Sequence, residues 1–525
     1  MKKAKEKHSN RTMNEVAELF HVAPVTVLNW VKEGLLELDE TRCVTDESLV
    51  RFKKKCAGKK KLHARANKQL KDGHNNGEVY ETILKALDDE PFDDTLGDRY
   101  EAMLSESFKN KEGVFYTPMN IVEDLMCDVE TNADTIFLDP CCGSGNFLLK
   151  ALQKGISPQN LYGFDTDPNA VLIARRRIKA LTGCDAPHVV CADFFQACPD
   201  LKVKFDLVFT NPPWGKKLSK AQRADFAKRY HAGSSSDTCS LFLFAILSVL
   251  KPGGMTGMLM PDSFFKIAVF ENARKAVLQQ SILKIKDYGK PFKNMYSAVS
   301  LVLRQSKSDG SHAVVCYFDH LEYIRSQQSF MLMPRHNFNY WTKPEEMTLV
   351  EELLKQPYLT LKGHATWSLG IVTGNNAGMC KRSQKKGFKA VYRGKDILPG
   401  RLAAASLFVN PDDFPRYQQM ASMELLCAPV KLVYRFISSS LVFYCDTQQR
   451  YFLNSANMLV LDEDFPLSAK RLTEVMNSPL TNWLFTQLFN THKVLRSDLE
   501  TLPIITDPSW HRRFHSFYFG EGFSK

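Results

Sequence analysis

The stretch Thr135-Ile136-Phe137-Leu138-Asp139-Pro140-Cys141-Cys142-Gly143-Ser144-Gly145-Asn146-Phe147 gives the strongest indication of the fold of this chain. Its apolar start predicts a short buried strand, and its two glycines let the backbone turn tightly into a helix that begins near Asn146. This arrangement is typical of a nucleotide-binding loop, because the N–H groups at a helix start attract polar ligand groups. A lone Gly-x-Gly is common, so the prediction depends on the motifs further along the chain.

Apolar runs and helical spans alternate through residues 78–335. Further strands are predicted at 161–164, 188–191, 205–209, 254–260 and 299–303. Strands that alternate with helices predict an α/β fold with a doubly wound parallel sheet. Beyond residue 336 short strands and helices mix irregularly, which predicts a separate α+β domain at 336–525.

An acidic residue closes each of the two strands that come after the glycine loop. Asp165 ends Gly163-Phe164-Asp165, and Asp193-Phe194 follows the next strand. Acidic residues after two successive strands are suited to binding a nucleoside. Asp165 would bind the ribose hydroxyls, and Asp193 with Phe194 would contact the adenine ring. Either Asp could instead cap a helix or a turn, which is the commonest role of Asp after a strand.

The fourth strand ends in Asn211-Pro212-Pro213-Trp214, and the full set of motifs resembles the adenine-specific DNA methyltransferases. Members of that family include the modification subunits of type I systems and the methyltransferase parts of type IIG enzymes. The resemblance covers most of residues 96–304, beginning with Leu96-Gly97-x-x-Tyr100-Glu101 and Gly113-Val114-Phe115-Tyr116-Thr117-Pro118. It implies a Rossmann-like core, S-adenosylmethionine as the cofactor and double-stranded DNA as the partner.

The resemblance also implies roles for individual residues. The Tyr116 loop would close over the methionine end of the cofactor, and Asp165 would hold its ribose. The residues implied to bind the cofactor are Tyr116, Thr117, Pro118, Asp139, Pro140, Gly143, Gly145, Asn146, Asp165, Asp193 and Phe194. The adjacent Cys141 and Cys142 are expected to pack in the loop without a catalytic role.

The tetrapeptide Asn211 to Trp214 suits the chemistry of adenine. The exocyclic amine is a poor nucleophile because its lone pair is delocalised into the ring, and acceptors for its two hydrogens would favour a tetrahedral nitrogen. The Asn211 side-chain oxygen and the Pro212 carbonyl could be these acceptors, while Pro212 and Pro213 stiffen the loop. Positioning against an activated sulfonium supplies much of the catalysis, so neither a metal nor a covalent intermediate is required.

Two aromatic residues are candidates for stacking on the target base. Trp214 offers a face to a base that is flipped out of the duplex, and Phe292 lies where the family places a second aromatic. Phe292 could equally be a core aromatic.

Residues 10–56 resemble the winged helix-turn-helix of the excisionase and MerR-like group. The matching residues are Glu15-Val16-Ala17, Thr26-Val27-Leu28-Asn29-Trp30 and Gly34-Leu35. The resemblance implies that Thr26, Asn29 and Lys32 face a DNA groove while Trp30 packs in the core. A helical hairpin that docks another protein is the alternative. Residues 57–77 are predicted to be a basic linker.

Composition agrees with a nucleic-acid partner. The 525 residues carry a net charge of +11, and residues 1–75 hold 17 Lys or Arg against 10 Asp or Glu. The 13 cysteines include no Cys-x-x-Cys pair, which argues against a disulfide framework and a zinc site and favours a reducing cytosol. We therefore expect a cytoplasmic protein with no metal and no membrane segment. The family resemblance implies a nucleoid-associated protein in a prokaryotic or phage context.

The region 336–525 resembles, in patches, the target-recognition domains of type IIG and related enzymes. The resemblance implies that Arg393, Lys395, Lys431 and Arg435 could contact DNA phosphates, although a solvated face is an equal alternative for each. No Pro-Asp and Glu-x-Lys nuclease pattern precedes the catalytic region. We therefore expect an orphan methylase or a partner of a separate restriction endonuclease or specificity subunit.

Two other functions share some of these features. An RNA or protein-glutamine methyltransferase can use the same Asn-Pro-Pro-aromatic loop, but neither usually carries a helix-turn-helix and a large recognition region. A non-enzymatic DNA-binding regulator would suit residues 10–56 alone, but the complete cofactor and catalytic loops argue against it.

Overall fold

The structure is a computed structural model. It describes residues 11–19, 27, 30–31, 36–39, 41, 43–56, 96–103, 115–216, 218–292 and 297–519. The chain divides into two compact units, residues 1–223 and 224–525.

The described part of the first unit alternates helices with four short strands. The helices are α1 (Met13–Leu19), α2 (Asp46–Cys56), α3 (Leu96–Met103), α4 (Met119–Leu125), α5 (Asn146–Gln153), α6 (Pro168–Thr182) and α7 (Phe194–Ala197). The strands are β1 (Phe137–Asp139), β2 (Leu161–Asp165), β3 (Val189–Cys191) and β4 (Phe205–Thr210). Helix α8 (Lys220–Arg229) includes the residue at which the units divide.

The four strands form a parallel sheet in the order β3-β2-β1-β4. All three residues of β1 are buried, as expected for a parallel sheet that is covered on both faces. The chain passes from β1 outward to β2 and β3, then returns to β4 on the other side of β1. Ligands of doubly wound sheets bind at such a reversal, at the carboxyl ends of the strands.

The sequence sets the ends of the two helices beside this edge. Helix α5 follows Gly145, whose φ of 96° is in the left-handed region that favours glycine. Helix α6 begins at Pro168 after Asp167, whose carboxylate accepts a hydrogen bond from the Asn169 N–H, and it ends at Gly183 with φ 71°.

The described amino-terminal residues have a small core of their own. Helices α1 and α2 pack on it, and Val44 forms β-bridges with both Arg11 and Leu38. The Trp30 ring lies 4.6 Å from that of Phe52. The proposed DNA-contacting residues Thr26, Asn29 and Lys32, together with the linker 57–77, lie outside the described residues, so the winged helix-turn-helix remains a prediction.

The second unit contains the remaining elements. Its helices are α9 (Thr238–Val249), α10 (Ser263–Lys266), α11 (Glu271–Leu278), α12 (Gln328–Met331), α13 (Pro344–Leu354), α14 (Asn376–Met379), α15 (Met423–Leu426), α16 (Ala469–Met476), α17 (Pro479–Phe489), α18 (Arg496–Thr501) and α19 (Pro508–Phe519). Its longer strands are β5 (Leu250–Pro261), β6 (Ser281–Asp287), β7 (Ala298–Arg304), β8 (Ala313–Phe318) and β9 (Leu321–Ser326). The carboxy-terminal strands are β10 (Ala365–Leu369), β11 (Lys389–Tyr392), β12 (Ile397–Leu398), β13 (Arg401–Leu402), β14 (Leu407–Val409), β15 (Lys431–Arg435), β16 (Phe443–Asp446), β17 (Tyr451–Phe452) and β18 (Ala456–Leu461).

Strands β5 to β9 are hydrogen-bonded in the order β5-β7-β6-β8-β9, and β7 runs antiparallel to both of its neighbours. The later strands form a sheet β10-β18-β15-β16, a three-stranded sheet β14-β11-β17 and the pair β12-β13. Neighbouring residues of β15 face different cores: Leu432 packs with the helices α13 and α16 to α18, whereas Val433 packs with β11 and β17. The α/β class is therefore as predicted. The strands predicted at 254–260 and 299–303 as part of a parallel sheet instead pair with each other antiparallel.

Among the residues described, no helix is both long and apolar enough to cross a bilayer. The most apolar helix, α9, has 12 residues.

Candidate active site

The predicted site residues of the first unit lie at one edge of its sheet. Asp139 ends β1, Asp165 ends β2 and Asn211 directly follows β4. Asp193 follows β3 by two residues. Because the strands are parallel and adjacent, the fold brings these four side chains to a common edge.

The glycine loop is held against the end of β2. The Cys142 N–H donates to the Phe164 carbonyl at 2.9 Å, and the Gly143 N–H donates to the Asp165 carboxylate at 2.9 Å. Gly143 has φ 49°, and a Cβ at this position would lie 2.3 Å from Cε1 of Tyr116. The Tyr116 ring therefore lies directly on the glycine, and no larger residue fits without displacing it.

The Asp165 carboxylate organises the loops around it. Its second oxygen accepts a hydrogen bond from the Asp167 N–H at 2.9 Å. Burial raises the pKa of Asp165 despite these two bonds. A carboxylate has about four acceptor positions, so contact with a ribose remains compatible with both bonds.

Asp139 is the most deeply buried acid of the site, with 1% of its surface exposed. One of its oxygens accepts hydrogen bonds from the Thr210 hydroxyl at 2.7 Å and from the Cys141 N–H at 3.1 Å. Burial nevertheless raises the pKa of Asp139 to about 7. Near neutral pH this side chain is therefore poised between its neutral and charged forms.

A buried arginine, which was not predicted from the sequence, connects the glycine loop to the Tyr116 segment. Arg177 of α6 donates to the Ser144 carbonyl at 2.9 Å and to the Asn146 side-chain oxygen at 2.8 Å. The Asn146 amide in turn donates to the Thr117 carbonyl at 2.9 Å. The sequence did contain an indication of this role. Position 177 shares the buried face of α6 with Ala170 and Ala174, where a charged residue is unexpected.

Asp193 and Phe194 have structural contacts. The Asp193 carboxylate caps α7 by accepting a hydrogen bond from the Phe195 N–H at 2.9 Å. The Phe194 ring is buried, with its centroid 5.6 Å from that of Phe164. The capping alternative for Asp193 is therefore realised, and contact of either residue with an adenine ring remains a prediction.

Asn211 has one satisfied and one unsatisfied polar atom. Its Nδ2 donates to the Phe115 carbonyl at 2.9 Å, whereas its Oδ1 is buried and has no hydrogen-bond partner. The orientation follows from chemistry, because a carbonyl can only accept and so must face the amide nitrogen. A buried oxygen without a partner costs about 1–3 kcal/mol, and the role of Asn211 as an acceptor for a ligand remains a prediction.

The two aromatic candidates lie in different units. Trp214 follows the prolines in the first unit and is mostly buried, and Phe292 is similarly buried in the second unit. Both burial states are compatible with a core role as well as with stacking, so the contacts with a target base remain predictions.

The two loop cysteines are poorly suited to reaction at neutral pH. Burial, together with the nearby charges of Asp139 and Asp165, raises the pKa of the Cys141 and Cys142 thiols well above the usual value. Among the described residues, no group of three or more His, Cys, Asp or Glu is placed to hold a metal ion.

Comparisons with known proteins identify the family. Residues 92–329 match the N-6 DNA methylase family, and residues 389–504 match the TaqI-like C-terminal specificity domain. Over 389 residues the chain is 40% identical to the type II methyltransferase M.VspI of Vibrio sp. (strain 343), and the match covers 74% of this chain and 95% of that protein. The chain belongs to the N-6 DNA methylase family.

Other similar proteins also come from restriction-modification systems. This N-6 DNA methylase is 25% identical over 242 residues to the type I restriction enzyme MjaIX methylase subunit of Methanocaldococcus jannaschii, covering 41% of this chain and 42% of that one. The type IIL restriction-modification enzyme MmeI, solved in complex with DNA, has a similar fold, with a TM-score of 0.50 at 10% identity over 79% of this chain and 69% of that one. The predicted family and enzyme class, an adenine-N6 DNA methyltransferase of restriction-modification systems, are confirmed.

One of the predicted phosphate contacts in this methylase is wrong. Lys431 is fully buried, and its ammonium is held by the Asp446 carboxylate and the Leu426 carbonyl, both at 2.8 Å. The reason is positional: β15 is an inner strand of its sheet, and Lys431 is in register with Asp446 on β16. Lys431 therefore neutralises a buried acid and is not available to a phosphate.

The other three predicted phosphate contacts differ in their surroundings. Arg393 binds the Asp396 carboxylate at 3.0 Å and the Ser406 hydroxyl at 2.6 Å, and Arg435 donates to the Ile397 carbonyl at 2.9 Å. Lys395 is exposed. The arginines thus hold the fold of the specificity domain, and a phosphate contact by any of the three remains a prediction.

An exposed basic segment, Lys381–Lys389, was also not predicted from the sequence. Five of its nine residues are basic, and all five side chains are exposed: Lys381, Arg382, Lys385, Lys386 and Lys389. No Asp or Glu occurs from residue 353 to residue 395, so nearby sequence offers no acidic partners. This charge pattern was visible in the sequence.

Proposed function

We propose that this enzyme transfers the methyl group of S-adenosylmethionine to the N6 amine of an adenine flipped out of duplex DNA, with Asn211 as the principal acceptor for that amine. The observation that carries the proposal is the buried, unpartnered Oδ1 of Asn211 beside an Nδ2 that is already bonded to the Phe115 carbonyl. The amide therefore cannot rotate without losing a hydrogen bond, and its oxygen is preorganised for an N–H donor.

The chemistry of the residues at the strand ends supports S-adenosylmethionine as the cofactor. S-adenosylmethionine supplies an activated methyl group on a sulfonium. The turn through Gly143 and Gly145 leads into α5, whose first backbone N–H groups would face the cofactor. Asp165 would accept from ribose hydroxyls, and Asp139 would receive a cationic group. Tyr116, which lies on Gly143, would close over the bound molecule, with Thr117 and Pro118 beside it.

The chemistry assigned to the chain is positioning and charge stabilisation. As the amine attacks the methyl group, positive charge develops on its nitrogen and its hydrogens become more acidic. Oδ1 of Asn211 and the Pro212 carbonyl would accept those hydrogens and stabilise that charge, while Pro213 restricts the loop. Trp214 and Phe292 would stack on the flipped base, and stacking of this kind contributes about 1–3 kcal/mol per base.

The basic segment Lys381–Lys389 is proposed to contact the DNA backbone. Its exposed positive charge and its place beside the TaqI-like specificity domain support this role. Phosphate contacts of this kind position the duplex without reading its sequence. A separate restriction endonuclease or specificity subunit as a further partner is also part of the proposal, since the relatives include type II and type I systems.

The test is methyl transfer by Asn211→Ala on plasmid DNA from a methylation-free host, measured as tritium incorporated from labelled S-adenosylmethionine. We expect transfer to fall at least a hundredfold, with the Kd for the cofactor within a few-fold of wild type. Asn160→Ala is the matched control, because Asn160 also donates to a backbone carbonyl but precedes the amino end of β2. Wild-type turnover in Asn211→Ala would refute the assignment.

A further inference from the structure

The segment Pro334–Thr342, here called the linking segment, follows strands β5 to β9 in the second unit. It precedes the part of that unit that contains the TaqI-like specificity domain (residues 389–504), here called the specificity region. Buried arginines hold it on one side. Arg274 donates to the His336 carbonyl at 2.9 Å and to the Asn337 side chain at 3.0 Å, and Arg325 donates to the Asn339 carbonyl at 2.6 Å. These charge-assisted bonds restrain the backbone of the linking segment.

On its other side the linking segment caps the end of α17. The last carbonyls of a helix have no partners within the helix. Here Trp341 and Thr342 donate to the Gln487 carbonyl at 3.1 Å and 3.0 Å, and Asn337 donates to the Leu488 carbonyl at 3.2 Å. The specificity region is thus fixed to the linking segment by side chains that complete one of its helices.

Tyr340 extends this connection to the sheet. Its side chain is 1% exposed, and its hydroxyl lies 3.3 Å from Oδ1 of Asp262 and 3.2 Å from Oδ2 of Asp287. Asp262 directly follows β5 and Asp287 is the last residue of β6. One phenol therefore bridges the acids at two strand ends.

Asp287 also shapes the backbone that leads to Phe292. Its Oδ1 accepts a hydrogen bond from the Gly289 N–H at 2.7 Å, and Gly289 adopts a left-handed φ of 63°. The Tyr288 N–H and the Gly289 carbonyl both pair with Ala298 of β7. The turn that starts the Phe292 arm, residues Tyr288–Phe292, is consequently set by the carboxyl group that Tyr340 holds.

The acids that contact the Tyr340 hydroxyl have further neighbours. The Lys266 ammonium pairs with the Asp262 carboxylate at 2.6 Å. Burial, with the nearby charge of Asp262 adding to it, raises the pKa of Asp287. The Tyr340 hydroxyl is the donor toward both carboxylates, and its single proton can be given to only one of them at a time.

We propose that Tyr340 is a positioning residue for methyl transfer. Through its contact with Asp287, it makes the position of the Phe292 arm depend on the position of the specificity region. The proposal rests on the function proposed above, in which Phe292 stacks on the target base. Its physical basis is that one buried side chain contacts the strand ends and belongs to the segment that caps α17.

The experiment is a double-mutant cycle in the full-length enzyme with plasmid DNA as the substrate. Tyr340→Phe removes only the hydroxyl, and we expect kcat to fall about tenfold while KM for DNA changes less than twofold. Phe292→Ala should also lower kcat, and the double variant should be no slower than Phe292→Ala alone, because both changes act through the same ring. Tyr417→Phe is the matched control, since its hydroxyl is buried without a partner.

The carboxyl group supplies a second, conservative test that does not depend on the phenol. Asp287→Asn can donate to the Tyr340 oxygen and accept from Gly289, so it should retain wild-type kcat. Asp287→Ala removes both contacts, so it should lower kcat at least as much as Tyr340→Phe. Wild-type kcat in Tyr340→Phe would overturn the inference about Tyr340 but not the proposed function. A kcat in the double variant that is lowered by the product of the two single-variant factors would do the same. Wild-type kcat in Phe292→Ala would instead refute the stacking role on which it rests.

Discussion

Replacing Asp139 by Asn should make the cofactor-free enzyme more stable at neutral pH. In the folded protein the pKa of Asp139 is about 7, against an ordinary value of 3.8. Folding therefore takes up a proton between these values, so the contribution of Asp139 to stability falls as pH rises from 3.8 to about 7 and is constant above. Asparagine does not titrate and can accept the same bonds from Thr210 and Cys141.

The size of the effect follows from the pH range between the ordinary pKa of 3.8 and the folded-state pKa of about 7. Each fully titrated pH unit is worth about 1.4 kcal/mol, and Asp139 is half ionised at about pH 7. The stability gap between Asp139→Asn and wild type should therefore grow by roughly 2 kcal/mol between pH 5 and pH 7 and level off by pH 8. Urea titrations of both cofactor-free proteins at pH 5, 6, 7 and 8 measure this gap. A gap that does not change with pH would show that Asp139 is ionised throughout, and would refute the reasoning.

The same acid should link cofactor binding to pH. If Asp139 receives a cationic group of S-adenosylmethionine, wild-type affinity should strengthen as pH rises from 6 to 8, because the charged carboxylate becomes available through a pKa of about 7. The Asn variant should bind more weakly and lose this dependence. Calorimetric titration at both pH values measures it, and equal pH dependence in the two proteins would contradict the assignment.

Two further predictions concern the loop and the DNA contact. Gly143→Ala should weaken S-adenosylmethionine binding at least tenfold in a calorimetric titration, because the new Cβ would lie 2.3 Å from the Tyr116 ring, whereas Gly155→Ala, with nothing within 4 Å, should leave binding unchanged. Equal binding by the two variants would contradict this. Lys385→Ala with Lys386→Ala should lower the slope of log K for DNA against log salt by about 2, since each phosphate contact contributes about 0.9. The exposed pair Lys470→Ala with Arg512→Ala should not alter the slope, and an unchanged slope in the first pair would exclude phosphate contact there.

The strand-end pattern of the catalytic core could be predicted because it depends on local sequence. Each of Asp139, Asp165 and Asn211 stands at the end of an apolar run, and parallel strands place those ends together. Gly143 was recognised from the same stretch, although the reason for it, the Tyr116 ring, lies more than twenty residues earlier.

The features that the sequence did not disclose depend on distant partners. Lys431 resembled a surface cation until its partner Asp446 was placed opposite it on an inner strand. Arg177 stood on an apolar helix face, but its acceptors at Ser144 and Asn146 lie about thirty residues away. The contacts of Tyr340 join three separate chain segments, so no local pattern could reveal them.

Adenine methylation through Asn211 is best tested by sequencing genomic DNA for methylated bases. A methylation-free host would express either the wild-type chain or Asn211→Ala, with soluble protein confirmed for both. We predict N6-methyladenine in one recurrent sequence motif with the wild type and none with the variant. The same methylation with both proteins would contradict the role of Asn211, and no methylated adenine with soluble wild-type protein would contradict autonomous methylation of DNA by this chain.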